Sequence, residues 1–187
     1  MPPPRILSCV EWDGECQKEL STLADGIGQD FCIFGDISSF WRPELREVVA
    51  ALEEKPELSV EVLSGCIKAR RAMRRKAFCI RHQRMCHLQT AKKHSAGSSC
   101  TAHSAQGLRL GLSDKNVLHL LSWIGLRLEC LESEIDLENV GAFPTDVLLR
   151  FFVDYYYVEV VNLDPRMLGT LGLAQCVASL INLNNLI

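Results

Sequence analysis

SCVEWDGECQKELSTLADGIGQDFCIFGDI, residues 8–37, sets two short apolar runs on either side of a polar segment, and each run closes on an acidic residue. Cys9-Val10 leads into Glu11, and Phe31-Cys32-Ile33-Phe34 leads into Asp36, while residues 17–24 between them can wind as a helix. The pattern predicts strand, helix, strand. Further along, Pro43 opens PELREVVAALEEK, where Leu45, Val48, Val49 and Leu52 fall three and four apart, so a helix is expected that ends before Pro56. Val117, Leu120, Leu121, Ile124, Leu128 and Leu131 mark one face of a second helix over residues 115–132. Ile135-Asp136-Leu137 reads as a strand, Pro144 opens a helix through Leu148, Leu149 and Phe152, and YVEVVNL, residues 157–163, is rich in strand formers. Strands that alternate with helices predict an open α/β sheet.

In such a sheet, ligands collect at the carboxyl ends of the strands. Glu11, Asp36 and Glu138 fall there, and Cys100 is expected there too. Cys100 stands in HSAGSSCTAHSAQG, residues 94–107, a run of small and hydroxylated residues with nothing large and apolar to bury it. That composition predicts a loop, and a loop cysteine invites a chemical role rather than a packing one. The preceding residues, LQTAKKHSAG, carry no apolar run of the kind a strand would need.

The chain has 187 residues, 48% of them hydrophobic, enough for one domain with its own core. Its nine cysteines lack the regular spacing of a secreted disulfide framework, which points to a reducing compartment. MPPPRILSCVEW is too short and polar for a signal peptide, and no apolar run reaches the ~18 residues of a membrane span. A soluble, intracellular protein is expected, nuclear if its source is eukaryotic.

The net charge is only −3, yet the basic residues are segregated. Residues 68–93 hold Lys68, Arg70, Arg71, Arg74, Arg75, Lys76, Arg81, Arg84, Lys92 and Lys93 and no Asp or Glu. Such an island either attracts nucleic-acid phosphates, with Arg70, Arg71, Arg74 and Arg75 the residues to carry them, or is a solvated face. Cys79, His82, Cys86 and His87 within it raise a zinc site, but their spacing matches no standard finger. An amphipathic basic helix without a metal is the expectation.

The ordered set Glu11-Trp12-Asp13, Gly35-Asp36-Ile37, Gly97-Ser98-Ser99-Cys100 and Glu138-Asn139-Val140, followed by Phe143-Pro144, resembles the cytosine-5 DNA methyltransferases. The resemblance covers most of residues 8–41 and 94–170. It implies a Rossmann-like S-adenosylmethionine-dependent methyltransferase sheet, incomplete, over residues 1–187, interrupted by a basic helical or disordered insertion at 42–93. It also implies that Glu11 binds the ribose hydroxyls of S-adenosylmethionine, that Trp12 packs on the adenine, and that Asp36 and Ile37 hold the adenine edge. Cys100 would add to carbon-6 of a flipped-out cytosine, Glu138 would act on the ring at nitrogen-3, and Asn139 would orient that region. The implied partner is DNA, with RNA as the alternative in a tRNA-modifying branch. The family's Gly-rich loop before the Glu-Trp strand and its Arg-rich motif are not found, Ser99 stands where Pro is usual, and Thr101 stands where most members carry Gln. A catalytic domain truncated at both ends is therefore expected, with a non-catalytic remnant or a nucleic-acid-binding protein as the alternative.

Overall fold

A computed structural model describes residues 5–97, 110–163 and 175–185. The stretch read first folds as expected: β1 (Ser8–Val10), α1 (Gly14–Gly26) and β2 (Cys32–Phe34), with β1 and β2 parallel. Asp13 starts α1 by accepting from the backbone N–H groups of Glu15 and Cys16 at 2.9 and 3.0 Å, which satisfies donors that the first helical turn leaves open. The helix covers one face of the pair, where Ala24, Phe31 and Ile33 are buried together with partly buried Cys9 and Leu20.

Residues 42–93 differ from the insertion expected of them. Two short helices, α2 (Arg46–Leu52) and α3 (Ser59–Lys68), are each introduced by a Pro-led 3-10 turn and are followed by a hairpin of β3 (Lys76–Cys79) and β4 (Arg84–His87). The segment belongs to the core: Val49, Leu52, Leu63, Ile67, Met73, Ala77 and Leu88 are all buried in the main cluster. Apolar spacing decides this, because Val60, Leu63 and Ile67 line one face of α3 and Ala77 and Cys79 point inward from a strand whose other residues face out. Charge along 68–93 reads as a helix, whereas alternation at 76–79 makes a strand.

The chain continues through β5 (Lys93–Gly97), α4 (Asn116–Cys130), β6 (Glu134–Val140), α5 (Thr145–Phe152), β7 (Tyr156–Leu163) and β8 (Gln175–Asn182). In place of one open sheet there are two mixed four-stranded sheets, ordered β1-β2-β3-β4 and β5-β6-β8-β7. In the second, β5 runs parallel to β6, and β8 lies antiparallel between β6 and β7.

Both sheets share one core, which holds Phe34 from the first and Leu180 from the second, with α4 through its middle. That helix is buried without interruption from Leu120 to Leu128, so its polar groups need internal partners. Ser122 accepts from the indole N–H of Trp41 at 2.7 Å, and Arg127 pairs with the equally buried Glu132. Gly125 lets Met73 approach: a Cβ there would stand 2.9 Å from the Met73 Cγ.

Candidate functional site

Glu11 and Asp36 stand just beyond the carboxyl ends of neighbouring parallel strands. The backbone N–H of Glu11 donates to the Phe34 carbonyl at 3.0 Å, which ties the two ends together. Half-buried Glu11 uses Oε1 to accept from the N–H of Asp13 at 2.9 Å. Asp36 accepts from the N–H of Ser38 at 2.8 Å and so caps the 3-10 turn Ile37–Phe40, while Ile37 packs against the core. Trp12, between Glu11 and the cap of α1, is 80% exposed. An indole left in water beside a carboxylate contributes nothing to the core, and its face is open to a planar ligand.

In β6, Glu138 is exposed and Asn139 buried, as strand alternation requires, so the two side chains leave on opposite faces. Glu138 sits in register with Gly97, the last residue of β5. Cys100 lies outside the described residues, as does His103. The strand that leads toward Cys100 is formed even though LQTAKKHSAG lacks an apolar run: backbone pairing to β6 holds it, Lys93 reaches Asp136 at 2.7 Å, and every second residue faces water.

The four arginines expected to meet nucleic acid divide into two pairs. Arg74 donates to the Ser39 carbonyl at 3.2 Å, and Arg75 donates to the Leu88 carbonyl at 2.9 Å and to the Thr90 hydroxyl at 2.7 Å. Both guanidinium groups fasten loops. Arg70 and Arg71 are exposed, and Arg70, at φ 55°, also donates to a backbone carbonyl, that of Glu129 at 3.4 Å. Arg74 and Arg75 also line a cleft of about 690 Å³ with Arg42 and His87, where Glu44 and Glu129 offset part of the positive charge.

Sequence reasoning missed two arrangements. His94 on β5 accepts from the Trp123 indole N–H at 3.0 Å, and burial, with the Arg127 charge adding to it, takes its pKa down to about 3, so the ring is neutral at ordinary pH. The second is a cluster at the hairpin. Cys32, Cys79, His82 and Cys86 bring one ligand-type atom each to within 4.8 Å of one another. His87, which entered the sequence reading, lies outside it, and Cys32, which did not, completes it. Burial and then the neighbouring Cys79 and Cys86 push the Cys32 thiol up to about 12. Only the pairing of β2 with β3 brings Cys32 to the other three, and no local spacing in the sequence signals it.

A scan against protein-family models matches none of them, and a search of curated proteins returns no significant match. Among the described residues no helix is long and apolar enough to cross a membrane.

Proposed function

We propose that this chain is part of an S-adenosylmethionine-dependent cytosine-5 methyltransferase domain of Rossmann-like type that acts on DNA. The observation that carries the reading is the placement of Glu11 and Asp36 just past one parallel strand pair and of Glu138 within another, beside the last residue of β5. Glu11 and Asp36 follow β1 and β2, and Glu138 in β6 sits beside Gly97, the last residue of β5, which is three residues before Cys100 along the chain. The donor set fits the adenosine end of the cofactor: a carboxylate for the ribose hydroxyls in Glu11, an open indole face for adenine in Trp12, and Asp36 with Ile37 for the ring edge.

The cofactor supplies the methyl group. On the protein side, the Cys100 thiolate adds to carbon-6 of cytosine and makes carbon-5 electron-rich, while Glu138 holds a proton at nitrogen-3 that neutralises the ring. Once the methyl group is on carbon-5, transfer of the carbon-5 proton to solvent water expels the Cys100 thiolate, the nitrogen-3 proton returns to the Glu138 carboxylate, and the ring is restored. Arg71, exposed on the basic segment, is available to DNA phosphates, and exposed Arg70 would turn from the Glu129 carbonyl to reach them.

DNA containing 5-fluorocytosine tests the assignment, because fluorine cannot leave as a proton does. Incubated with S-adenosylmethionine, it should form an adduct with the chain that survives denaturing electrophoresis, is absent in Cys100→Ser and forms much more slowly in Glu138→Gln. No adduct even when the family's Gly-rich and Arg-rich segments are joined to the chain, or an adduct that persists in Cys100→Ser, refutes the reading. Trapping of 5-fluorocytosine RNA alone would refute DNA as the substrate.

A further inference from the structure

Three thiols crowd one imidazole nitrogen. The Nδ1 atom of His82 lies 3.3 Å from the Cys79 Sγ, 3.6 Å from the Cys32 Sγ and 3.7 Å from the Cys86 Sγ. A neutral imidazole nitrogen carries one lone pair and can accept from one S–H, not three. The same distances have a simple meaning around a cation. Zinc holds sulfur at about 2.3 Å and imidazole nitrogen at about 2.0–2.1 Å on a tetrahedron, which puts each sulfur roughly 3.6 Å from the nitrogen.

We infer that Cys32, Cys79, His82 and Cys86 form a structural zinc site. The ligand chemistry selects the ion, since three thiolates and one imidazole in tetrahedral array suit zinc rather than magnesium or calcium. Four protein ligands close the coordination sphere, so the ion has no position for a reacting water and its role is to hold the fold.

The fold delivers the ligands for backbone reasons. Cys32 starts β2, Cys79 ends β3, Cys86 lies in β4, and His82 is in the turn between β3 and β4. Phe34 pairs with Cys79 and Ala77 pairs with Cys86, and side chains two apart along a strand share a face, so all three sulfurs emerge on one side of the sheet. The far nitrogen of the ring is engaged too: His82 Nε2 bonds Asp30 Oδ1 at 2.9 Å, and Arg81 Nε donates to the same oxygen at 3.3 Å. A carboxylate on Nε2 keeps the proton there and turns the Nδ1 lone pair toward the sulfurs, as expected of a histidine that binds metal. A cleft of about 370 Å³ that includes Cys32, His82 and Cys86 in its wall gives the ion a way in, and Arg5 and Arg84 on the same wall offset the net negative charge of three thiolates on one dication.

This inference does not depend on the methyltransferase reading, and metal content tests it without an activity assay. The full chain, purified under reducing conditions without chelator, should carry roughly one equivalent of zinc by elemental analysis. Cys32→Ser and Cys79→Ser should each lower that to less than about a tenth, whereas Cys16→Ser, a change at an exposed cysteine of α1, should leave it unchanged. His82→Cys, which supplies a fourth thiolate, should retain the metal. Because a variant that loses a ligand can simply fail to fold, the unsubstituted chain gives an independent reading: stripped and refilled with cobalt, it should show the visible absorption of tetrahedral thiolate-bound cobalt, saturating at one equivalent. Asp30→Asn should weaken zinc binding about 10–100-fold against a chromophoric chelator. A chain without zinc that also gives no cobalt bands, or full zinc content in both Cys32→Ser and Cys79→Ser, overturns the site, and unchanged affinity in Asp30→Asn overturns the part given to that carboxylate.

Discussion

The two sheets hold together by different means. In the first the strands are three or four residues long, and β2 meets β3 in register at Phe34 and Cys79 alone. In the second they run to five, seven, eight and eight residues, paired along their lengths. A long ladder, with α4 and α5 packed on it, needs no further fastening. A three-residue strand makes few backbone bonds, so its position rests on side chains: Ile33 and Phe34 of β2 are fully buried, and the proposed Cys32, Cys79, His82 and Cys86 site, with Asp30 behind it, ties that strand to the hairpin.

The sharpest way to break the contrast is to remove the metal. Treatment with a strong chelator should abolish the protection of the hairpin, residues 76–87, against amide hydrogen exchange while residues 134–140 keep theirs, because metal affinity is folding free energy only for the part the metal organises. Equal loss in both sheets would show that they unfold as one unit. The second sheet has its own weak point in the buried pair at the end of α4. Arg127→Met strands the Glu132 carboxylate and should cost about 3–5 kcal/mol in urea denaturation, whereas Arg127→Met with Glu132→Leu should recover most of the loss.

Next in size is an effect of pH. His94 is neutral in the folded chain with a pKa of about 3, while an unfolded histidine titrates near 6.5. The unfolded state therefore takes up the proton first, so this contribution to stability is intact above about pH 6.5 and is lost progressively as pH falls toward 3, by about 4 kcal/mol. His94→Gln should flatten that part of the stability curve relative to the parent. The smallest expected effect belongs to Trp12, whose side chain the core does not use. Trp12→Ala should change stability by less than about 0.5 kcal/mol and yet remove the fluorescence quenching by added S-adenosylmethionine that the proposed adenine contact predicts for the parent.

Legibility in the sequence follows the same division. The helix read over 115–132 is α4 at Asn116–Cys130, and α5, β6 and β7 fall where periodicity and composition put them: α5 and β6 each bury a regular stripe, α4 is apolar enough to be buried nearly all round, and β7 is rich in strand formers. β5 was hidden, since KHSAG is held by backbone pairing and one ion pair rather than by apolar side chains. β8 carries no alternation strong enough to announce it. In the hairpin, ten basic residues across 68–93 outweighed the inward-facing Ala77 and Cys79. As for the candidate sites, the strand ends beside Glu11 and Asp36 were readable because a strand boundary is a local property, whereas the strand expected to end at Glu138-Asn139 runs on to Val140, held by its pairing with β8. The four-ligand cluster was not readable, because Cys32 joins Cys79, His82 and Cys86 only through the pairing of β2 with β3, which no local spacing encodes.

The hairpin also sets an order of events. Cys79, His82 and Cys86 fall within a single turn-linked strand pair, and such pairs close in about 1–10 μs, long before distant segments meet. Three ligands are therefore assembled while the chain around them is still open, and a zinc ion captured there waits for its fourth. Cys32 arrives from the far side of α2 and α3, and when it does the ion closes a long loop whose entropy the short strands would otherwise have to overcome on their own. In a folding experiment, zinc should accelerate the docking of β2 onto the hairpin and leave the assembly of the β6–β8–β7 ladder at its own pace.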